Sequence, residues 1–310
     1  MEKPMFIMMC GLPGSGKSSN AKALSKIYNA TICSSDAIRE EVTGSVSNQD
    51  KDPEVFKILH DRIKENLSRG ISVIYDACNI SYKKRMAFLN EIKKYDCMKV
   101  CYFVYTPYEK VLTNNKNREN VVPEYAIKRM YKNMYVPQYF EGWDIVVMNC
   151  EQATIKKGLT ELFYGDDGMC KIEHDNPHHT LSIGDHCIAC YLNILTENSG
   201  NMNFNLATAA LLHDIGKPFT KGYKDSKGNE SDHAHYYQHH LVSAYDAIEY
   251  LLDRNYMDIL DIVAMITYHM HPYFWEKENN EKMKKKYRQL WGEKMFENIM
   301  KLHVADMKAH

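Results

Sequence analysis

The sequence of 310 residues lacks a long apolar run, a secretory signal and a transit peptide. A helix that crosses a membrane needs about 20 consecutive apolar residues, and a secreted chain needs a charged and then apolar leader. The nine cysteines stand at irregular spacings, so no disulfide framework is predicted. From these absences we expect neither a membrane protein nor a disulfide-stabilised secreted domain, and we expect the chain to work in a reducing cytoplasm.

Histidine is scarce in the first half and frequent in the second. Only His60 precedes position 170, while the other thirteen of the 14 histidines follow it. Basic residues outnumber acidic ones in the first 150 positions, and the balance reverses afterwards. Turn formers at Tyr164-Gly-Asp-Asp-Gly168 interrupt the apolar periodicity. We therefore predict two domains, residues 1–164 for phosphate chemistry and residues 165–310 for metal chemistry.

Apolar periodicity predicts a different fold class for each domain. The first alternates helical stretches with short continuous apolar runs, which indicates an α/β domain with a parallel sheet and flanking helices. The strand-like runs are Met5–Cys10, Ala30–Cys33, Ile71–Tyr75, Val100–Tyr105 and Asp144–Met148. In the second, strand signals nearly vanish and helical periodicity continues to the end, so an all-α domain is predicted.

The segment Gly11-Leu-Pro-Gly-Ser-Gly-Lys-Ser18 directly follows an apolar run and fits the phosphate-binding loop (P-loop) pattern G-x-x-x-x-G-K-[ST]. Glycines allow the backbone to wrap a phosphate with consecutive N–H groups. We expect Lys17 to reach the β/γ-phosphates of ATP and Ser18 to hold Mg²⁺. The predicted nucleotide-binding residues are Gly11, Gly14, Ser15, Gly16, Lys17 and Ser18.

Four further polar residues narrow the type of reaction that the first domain could catalyse. Asp36 and Arg39 follow the second predicted strand, where a carboxylate could accept the proton of an attacking hydroxyl and an arginine could bind a phosphate of the acceptor. As alternatives, Asp36 could cap the following helix and Arg39 could pair with a surface acid. Asp76 ends the third strand and could contact the acceptor or Mg²⁺ water. Arg118, in a basic segment before a further helix, could stabilise the transferring phosphoryl group.

Together, G-x-P-G-S-G-K-S, S-x-D-x-x-R, D-x-x-N and R-x-x-x-V-P resemble the 5′-hydroxyl polynucleotide kinases of RNA repair over about residues 4–150. The resemblance implies Asp36 as general base, Arg39 on the acceptor's 3′-phosphate side, Asp76 in support of the acceptor and Arg118 as a lid arginine. This chain departs from the family at Asn114, where the phage enzyme has a second lid arginine.

The second half contains adjacent His213 and Asp214 at the end of an apolar helical stretch. Other candidate metal ligands stand on separate predicted helices: His186, His239, His269 and Asp306. Imidazole and carboxylate ligands together suit Mn, Fe, Co, Ni, Zn or Mg and do not single one out. His271 competes with His269 for one of these roles.

The order H…HD…H…H…D resembles the HD phosphohydrolase superfamily over about residues 172–310. The resemblance implies that His239 and His269, with Asp214 as a bridge, could bind a second metal, and that Lys217 contacts a substrate phosphate. It places the first metal on four residues: His186, His213, Asp214 and Asp306. We expect a transition metal here: Mn²⁺, Ni²⁺, Co²⁺, Zn²⁺ or Fe.

A kinase that phosphorylates 5′-hydroxyl ends and a hydrolase that removes 3′ or 2′,3′-cyclic phosphates would together heal cleaved RNA. We therefore predict a bifunctional end-healing enzyme acting on nucleic acid, with RNA favoured over DNA, and a ligase as a working partner. Two alternatives stay open. One is a nucleoside or small-molecule kinase fused to a nucleotide phosphohydrolase, and the other is a kinase regulated by a non-catalytic HD nucleotide sensor. The sequence leaves the oligomeric state undecided.

Overall fold

The computed structural model describes residues 3–151, 153, 158–177, 180–197, 202–278 and 280–309. The chain forms two compact units, Met1–Ala153 and Thr154–His310. The division between residues 153 and 154 comes earlier in the chain than the boundary predicted at 164/165. The reason is that a short helix, Leu159–Tyr164, packs against the turn Met169–Lys171 of the second unit. The turn formers at 165–168 therefore connect two elements of one domain.

The first unit is built on a parallel five-stranded sheet with strand order β2-β3-β1-β4-β5. Its central strand, β1, is almost entirely buried because its apolar run packs on both faces. Four of the predicted strands are shifted by one or two residues relative to the observed ones. The strands are β1 (Met5–Cys10), β2 (Thr31–Ser34), β3 (Val73–Asp76), β4 (Met98–Val104) and β5 (Ile145–Asn149).

Helices flank this sheet, as the alternating pattern predicts. In chain order they are α1 (Lys17–Tyr28), α2 (Ser35–Thr43), α3 (Asp52–Ser68), α4 (Tyr82–Ile92), α5 (Tyr108–Lys116) and α6 (Glu124–Tyr131). Helix α3 shows why they form, since Val55, Leu59 and Ile63 recur on one face and are fully buried. The carboxyl ends of parallel strands share one edge, so the loops after β1, β2 and β3 converge there.

The second unit is helical, as predicted. Its helices are α7 (Leu159–Tyr164), α8 (Ile183–Glu197), α9 (Phe204–Leu212), α10 (Lys217–Thr220), α11 (His239–Ala247), α12 (Tyr256–Tyr268), α13 (His271–Glu278), α14 (Glu281–Trp291) and α15 (Glu293–Met307). Helix α9 packs against α8, α12 and α15, which explains its nearly continuous apolar sequence. Cys187 and Cys190, which form a C-x-x-C pattern, are both buried on α8.

One element of the second unit was not predicted. Strands β6 (Gly222–Lys224) and β7 (Glu230–His235) form an antiparallel hairpin between α10 and α11. Strand β7 has a polar sequence, and of its six residues only Ala234 is buried. It therefore lacks the apolar alternation that marks a strand. Within the described ranges, no helix combines the length and apolar character needed to cross a membrane.

Candidate functional site

The P-loop connects the buried strand β1 to helix α1. Gly11, Gly14 and Gly16 have φ values of 148°, 84° and 92°, in the region that favours glycine. A Cβ atom on Gly14 would lie 2.7 Å from the carbonyl oxygen of Val111, so this position also needs glycine for space. The Nζ of Lys17 donates to the Leu12 carbonyl at 2.7 Å, which folds the side chain over the loop. The predicted phosphate cradle therefore has the required backbone.

Asp76, at the carboxyl end of β3, is the centre of the polar cluster next to the P-loop. Burial raises the pKa of its carboxyl group, and this effect is opposed by Lys17, a hydrogen bond with Ser18, and Arg118. Asp36, in the first turn of α2, adds a like charge. The structure thus brings these sequence-predicted residues together. An aspartate beside the P-loop serine is the arrangement by which P-loop enzymes hold Mg²⁺.

Arg39 lies between two carboxylates and is only 7% exposed. Its Nη1 donates to Asp36 Oδ1 at 2.9 Å, while Nε and Nη2 lie 3.1 Å and 3.0 Å from Asp52 Oδ1. Asp52 begins α3 and was not among the sequence-predicted site residues. Its spacing from Arg39 matches no sequence motif, because the two residues lie on different helices, α2 and α3, that are joined by a loop.

Asn114 marks the departure from the polynucleotide-kinase pattern. Its Nδ2 donates to the carbonyl oxygen of Gly14 at 2.9 Å, so it ties α5 to the P-loop. Arg118 follows α5 in a turn and is half-buried. At the place where the phage family has an arginine, this chain thus has an uncharged side chain that contacts the P-loop backbone.

The second site is a cluster of four histidines and two aspartates in the interior of the helical unit. The six residues lie on, or directly after, five helices: α8, α9, α11, α12 and α15. Two of them are adjacent and directly follow α9. All six side chains are nearly inaccessible: His186, His213, Asp214, His239, His269 and Asp306. Their ligand atoms form three overlapping groups in which all atoms lie within 4.8 Å of one another.

Backbone carbonyl groups fix the tautomer of every histidine in this cluster. In each ring Nδ1 lies 2.6–2.8 Å from a backbone carbonyl oxygen. The partner is Ala309 for His186, Ala210 for His213, Tyr236 for His239 and Ile266 for His269. A carbonyl only accepts, so Nδ1 must carry the hydrogen and the Nε2 lone pair must point into the cluster. This orientation by a partner on the other ring nitrogen is typical of metal-ligating histidines.

The Nε2 atoms are too close together to face one another without a cation. The distance is 3.3 Å between His186 and His213, and 3.3 Å between His239 and His269. Asp214 lies between the two pairs, with Oδ2 3.3 Å from His213 and Oδ1 3.1 Å from His239. Oδ1 is buried and has no hydrogen-bond partner among the described residues. A proton or a metal ion between the lone pairs would satisfy this donor set, so the residues fit a metal.

The two halves of the cluster are chemically distinct. Asp306 completes the first half, with Oδ1 3.0 Å from His186 Nε2. Burial disfavours a charged imidazole, but Asp214 and Asp306 outweigh it at His213 and raise its pKa to about 10. At His269 burial dominates, with help from His213, and lowers the pKa to about 3. In the absence of a cation, the first half therefore holds a proton and His269 stays neutral.

Lys217, three residues after Asp214, reaches back into the cluster. Its Nζ lies 2.6 Å from Asp214 Oδ2, 3.1 Å from His174 Nε2 and 5.5 Å from the centre of the Tyr236 ring. His174 is 1% exposed, and burial together with Lys217 lowers its pKa to about 4. Neither His174 nor Tyr236 was predicted as a site residue, because neither stands in the H…HD…H…H…D order.

The structure also separates the competing histidines. His269 faces Asp214, whereas His271 lies among aromatic rings, with centroids 4.9 Å from Tyr287 and 5.0 Å from Tyr268. His240 lies beside the cluster, with its ring centroid 6.4 Å from that of His269. His269 is therefore the better candidate ligand of the competing pair.

Comparison with known proteins agrees with this division of the chain. Residues 6–137 match the AAA domain family, and residues 183–307 match the HD domain family. The L-seryl-tRNA(Sec) kinase of Methanococcus maripaludis is 28% identical over 242 residues, which covers 74% of this chain and 93% of that protein.

Two solved structures are similar to the first part of the chain at low sequence identity. A gluconokinase from Sinorhizobium meliloti is 18% identical, with a TM-score of 0.35, over 48% of this chain and 83% of that one. A chain of the Pnkp1/Rnl/Hen1 RNA repair complex is 19% identical, with a TM-score of 0.36, over 42% of this chain and 43% of that one. From the family matches and the fold, the chain joins an AAA-type P-loop kinase domain to an HD domain.

Proposed function

We propose that this protein is a bifunctional RNA end-healing enzyme. In this proposal the front domain transfers the γ-phosphate of ATP to a 5′-hydroxyl end, and the HD domain removes a 3′ or 2′,3′-cyclic phosphate with a divalent transition metal. The observation that supports it most is the presence of two complete polar sites in one chain, one at a P-loop and one in a histidine–aspartate cluster. A ligase that joins the healed ends would be its working partner in the cytoplasm.

In the kinase step, the hydroxyl oxygen attacks the γ-phosphorus and the bond from phosphorus to the β,γ-bridging oxygen breaks. Arg39 holds Asp36 Oδ1, so Oδ2 is the atom placed to accept the hydroxyl proton. Lys17 and Arg118 would stabilise charge on the phosphoryl group, while Ser18 and Asp76 would hold Mg²⁺. ADP is the leaving group, and the acceptor gains a phosphate monoester.

In the hydrolase step, a divalent cation would supply Lewis-acid activation of water and of the phosphate. The chain contributes four Nε2 lone pairs, the bridging Asp214 carboxylate and Asp306 to hold that cation. Lys217 would bind a phosphate oxygen next to Asp214. The buried surroundings strengthen all of these electrostatic interactions.

The test uses RNA cleaved to leave a 5′-hydroxyl and a 2′,3′-cyclic phosphate, incubated with ATP and each candidate metal in turn. We expect a new 5′-phosphate and the loss of the cyclic phosphate, both visible as changes in electrophoretic mobility. Transfer to free nucleosides alone would favour the small-molecule alternative. Loss of hydrolysis in the variant Asp214→Ala would exclude a purely regulatory HD domain.

A second candidate function is phosphorylation of the seryl hydroxyl of an aminoacyl-tRNA. It is favoured by the match to the L-seryl-tRNA(Sec) kinase, which extends over 93% of that protein. The residues expected to face the acceptor also fit this second function, because the positive charge of Arg39 is offset by Asp36 and Asp52. Two carboxylates around one guanidinium suit an acceptor with an ammonium group better than one with a phosphate.

A competition assay separates the two kinase substrates. Equal concentrations of a 5′-hydroxyl oligonucleotide and seryl-tRNA are offered with labelled ATP, and the label in each is counted. End healing predicts label in the oligonucleotide, whereas exclusive labelling of seryl-tRNA would replace our first proposal with the second.

A further inference from the structure

His174 lies in the second unit in a segment whose backbone is fixed on both sides. Its neighbour Glu173 forms an antiparallel bridge with Ser182, and the carbonyl oxygen of Asp175 accepts from the backbone N–H of Ala234 on β7. The side chain is 1% exposed and meets the His186 ring edge-on, with a centroid distance of 5.5 Å. This buried histidine therefore has a well-defined position next to the metal cluster, although it is not one of its ligands.

The partners of His174 decide which ring nitrogen carries the hydrogen. Nδ1 lies 2.8 Å from the carbonyl oxygen of Leu181, which only accepts, so Nδ1–H is the donor. Nε2 then has a lone pair and accepts from the Lys217 ammonium group at 3.1 Å. The ring is thus oriented toward Lys217 in the same way that the carbonyl groups orient the ligand histidines.

Lys217 needs such an anchor because its other polar partner is shared. Asp214 lies 2.6 Å from Nζ, but the same carboxylate bridges the two halves of the metal cluster. A cation bound there would repel the ammonium group and compete for Asp214. A lysine side chain is flexible, so with Asp214 as its sole anchor it would lose its position when the site is loaded.

His174 offers an anchor without charge that a cation on Asp214 does not remove. Tyr236 supports the same arrangement, since its ring lies under Nζ and its hydroxyl donates to the backbone carbonyl of His174. Among the described residues, Asp214 and His174 take two of the three ammonium hydrogens. One N–H is left to bind a phosphate oxygen.

We propose that His174 is a positioning residue that holds Lys217 in place for substrate phosphate by accepting a hydrogen bond at Nε2. This inference rests on the proposed hydrolase function of the HD domain. It assigns His174 no contact with substrate or metal. Its effect is transmitted through Lys217 alone.

The test compares His174→Phe, His174→Gln, Lys217→Met and the double variant H174F/K217M in the full chain loaded with Mn²⁺. Outer residues that orient a catalytic site typically change activity by about 10–100-fold. We expect that loss in kcat/KM for the Phe variant, partial recovery in the Gln variant, whose amide oxygen can accept, and no further loss when H174F is added to K217M. The half-buried His235, which pairs with Ser231 on the hairpin, supplies the control His235→Gln.

Two measurements distinguish positioning from a general structural effect. Mn²⁺ affinity, measured by calorimetry, should change less than about threefold in His174→Phe if the cluster is intact, which is small beside the expected loss of activity. In protein loaded with Mn²⁺, where the cation competes for Asp214, the rate at which acetic anhydride modifies Lys217, followed by mass spectrometry, should rise in His174→Phe and stay at the wild-type value in His235→Gln.

Additive losses in the double variant, or wild-type activity in His174→Phe, would overturn the proposal. So would an unchanged rate of Lys217 acetylation. If wild-type protein releases no phosphate with any metal, the proposed hydrolase function fails, yet the acetylation rates still report whether His174 holds Lys217. The two failures are therefore separable.

Discussion

The P-loop and the metal cluster hold their ligand-binding groups by different means. At the P-loop the groups are mainly backbone N–H donors, within one contiguous segment shaped by glycines with positive φ. In the cluster the groups are side chains from separate helices, each histidine aimed by a backbone carbonyl at its Nδ1. The first site depends on local conformation, and the second depends on the packing of a whole domain.

This difference predicts how each site responds to substitution. At the P-loop, Lys17 is the one basic side chain of the loop and its loss removes charge directly. In the cluster, a single carboxylate, Asp214, is shared by both histidine pairs and by Lys217. Removal of Asp214 should therefore disturb more of its site than any single substitution does at the P-loop.

The largest expected effect comes from substitutions that abolish one site and spare the other. Asp214→Ala should lower phosphate release from 3′-phosphorylated RNA by at least about 10³-fold, the scale for loss of a unit that acts together. Lys17→Met should do the same to kinase activity. Each variant is assayed for both reactions, with Asp232→Ala, an exposed acid on the hairpin, as control. Loss of both activities in either variant would contradict independent sites.

The next effect tests the proton acceptor of the kinase. Asp36→Ala removes the proposed general base, so we expect transfer to the 5′-hydroxyl to fall by about 10²–10⁴-fold. ATP binding, followed by fluorescence of a nucleotide analogue, should change little because the P-loop is untouched. Glu40→Ala on the exposed face of α2 is the matched control. Full kinase activity in the Asp36 variant would rule out this role.

The same contrast explains which elements of the fold could be predicted from the sequence and which could not. The P-loop and β1 were predicted at their observed positions, since a contiguous motif and a buried central strand leave a strong local pattern. The helical nature of the second domain was also predicted. Hairpin β6–β7 was missed, because its strands are stabilised by pairing with each other and not by an apolar face.

Only some of the site residues could likewise be predicted from the sequence. The candidate ligands were found by their order along the chain, and the structure brings all six together. Asp52 and His174 were not predicted. Asp52 contacts Arg39 and His174 contacts Lys217, and in each pair the two residues are separated in sequence. No spacing rule marks such a contact, because it exists only after the helices have packed.

The metal cluster should also respond to pH in a way that the P-loop does not. Asp214 and Asp306 raise the pKa of His213 to about 10, so in metal-free protein this ring carries an additional proton at neutral pH. A cation must displace that proton, so affinity should fall by about tenfold for each unit of pH decrease below 10. Calorimetry in buffers of different ionisation enthalpy should detect about one released proton. Binding that is independent of pH would contradict the assignment.

The smallest expected effect concerns the acceptor side of the kinase. Asp52→Asn removes one of the two carboxylates around Arg39, which should weaken its positioning and change KM for the acceptor by about tenfold or less. KM for ATP should stay the same. Asp50→Asn, at an exposed position in the loop just before α3, is the control. An equal effect on both substrates would place Asp52 outside the acceptor site.

The most direct test of two chemically distinct sites is the metal content of the full chain, measured by elemental mass spectrometry after reloading with each candidate ion and removal of the excess. We predict that wild type and Lys17→Met retain at least one transition-metal ion per chain and that Asp214→Ala retains none. Protein that retains no metal, or an Asp214 variant that retains as much as wild type, would contradict it.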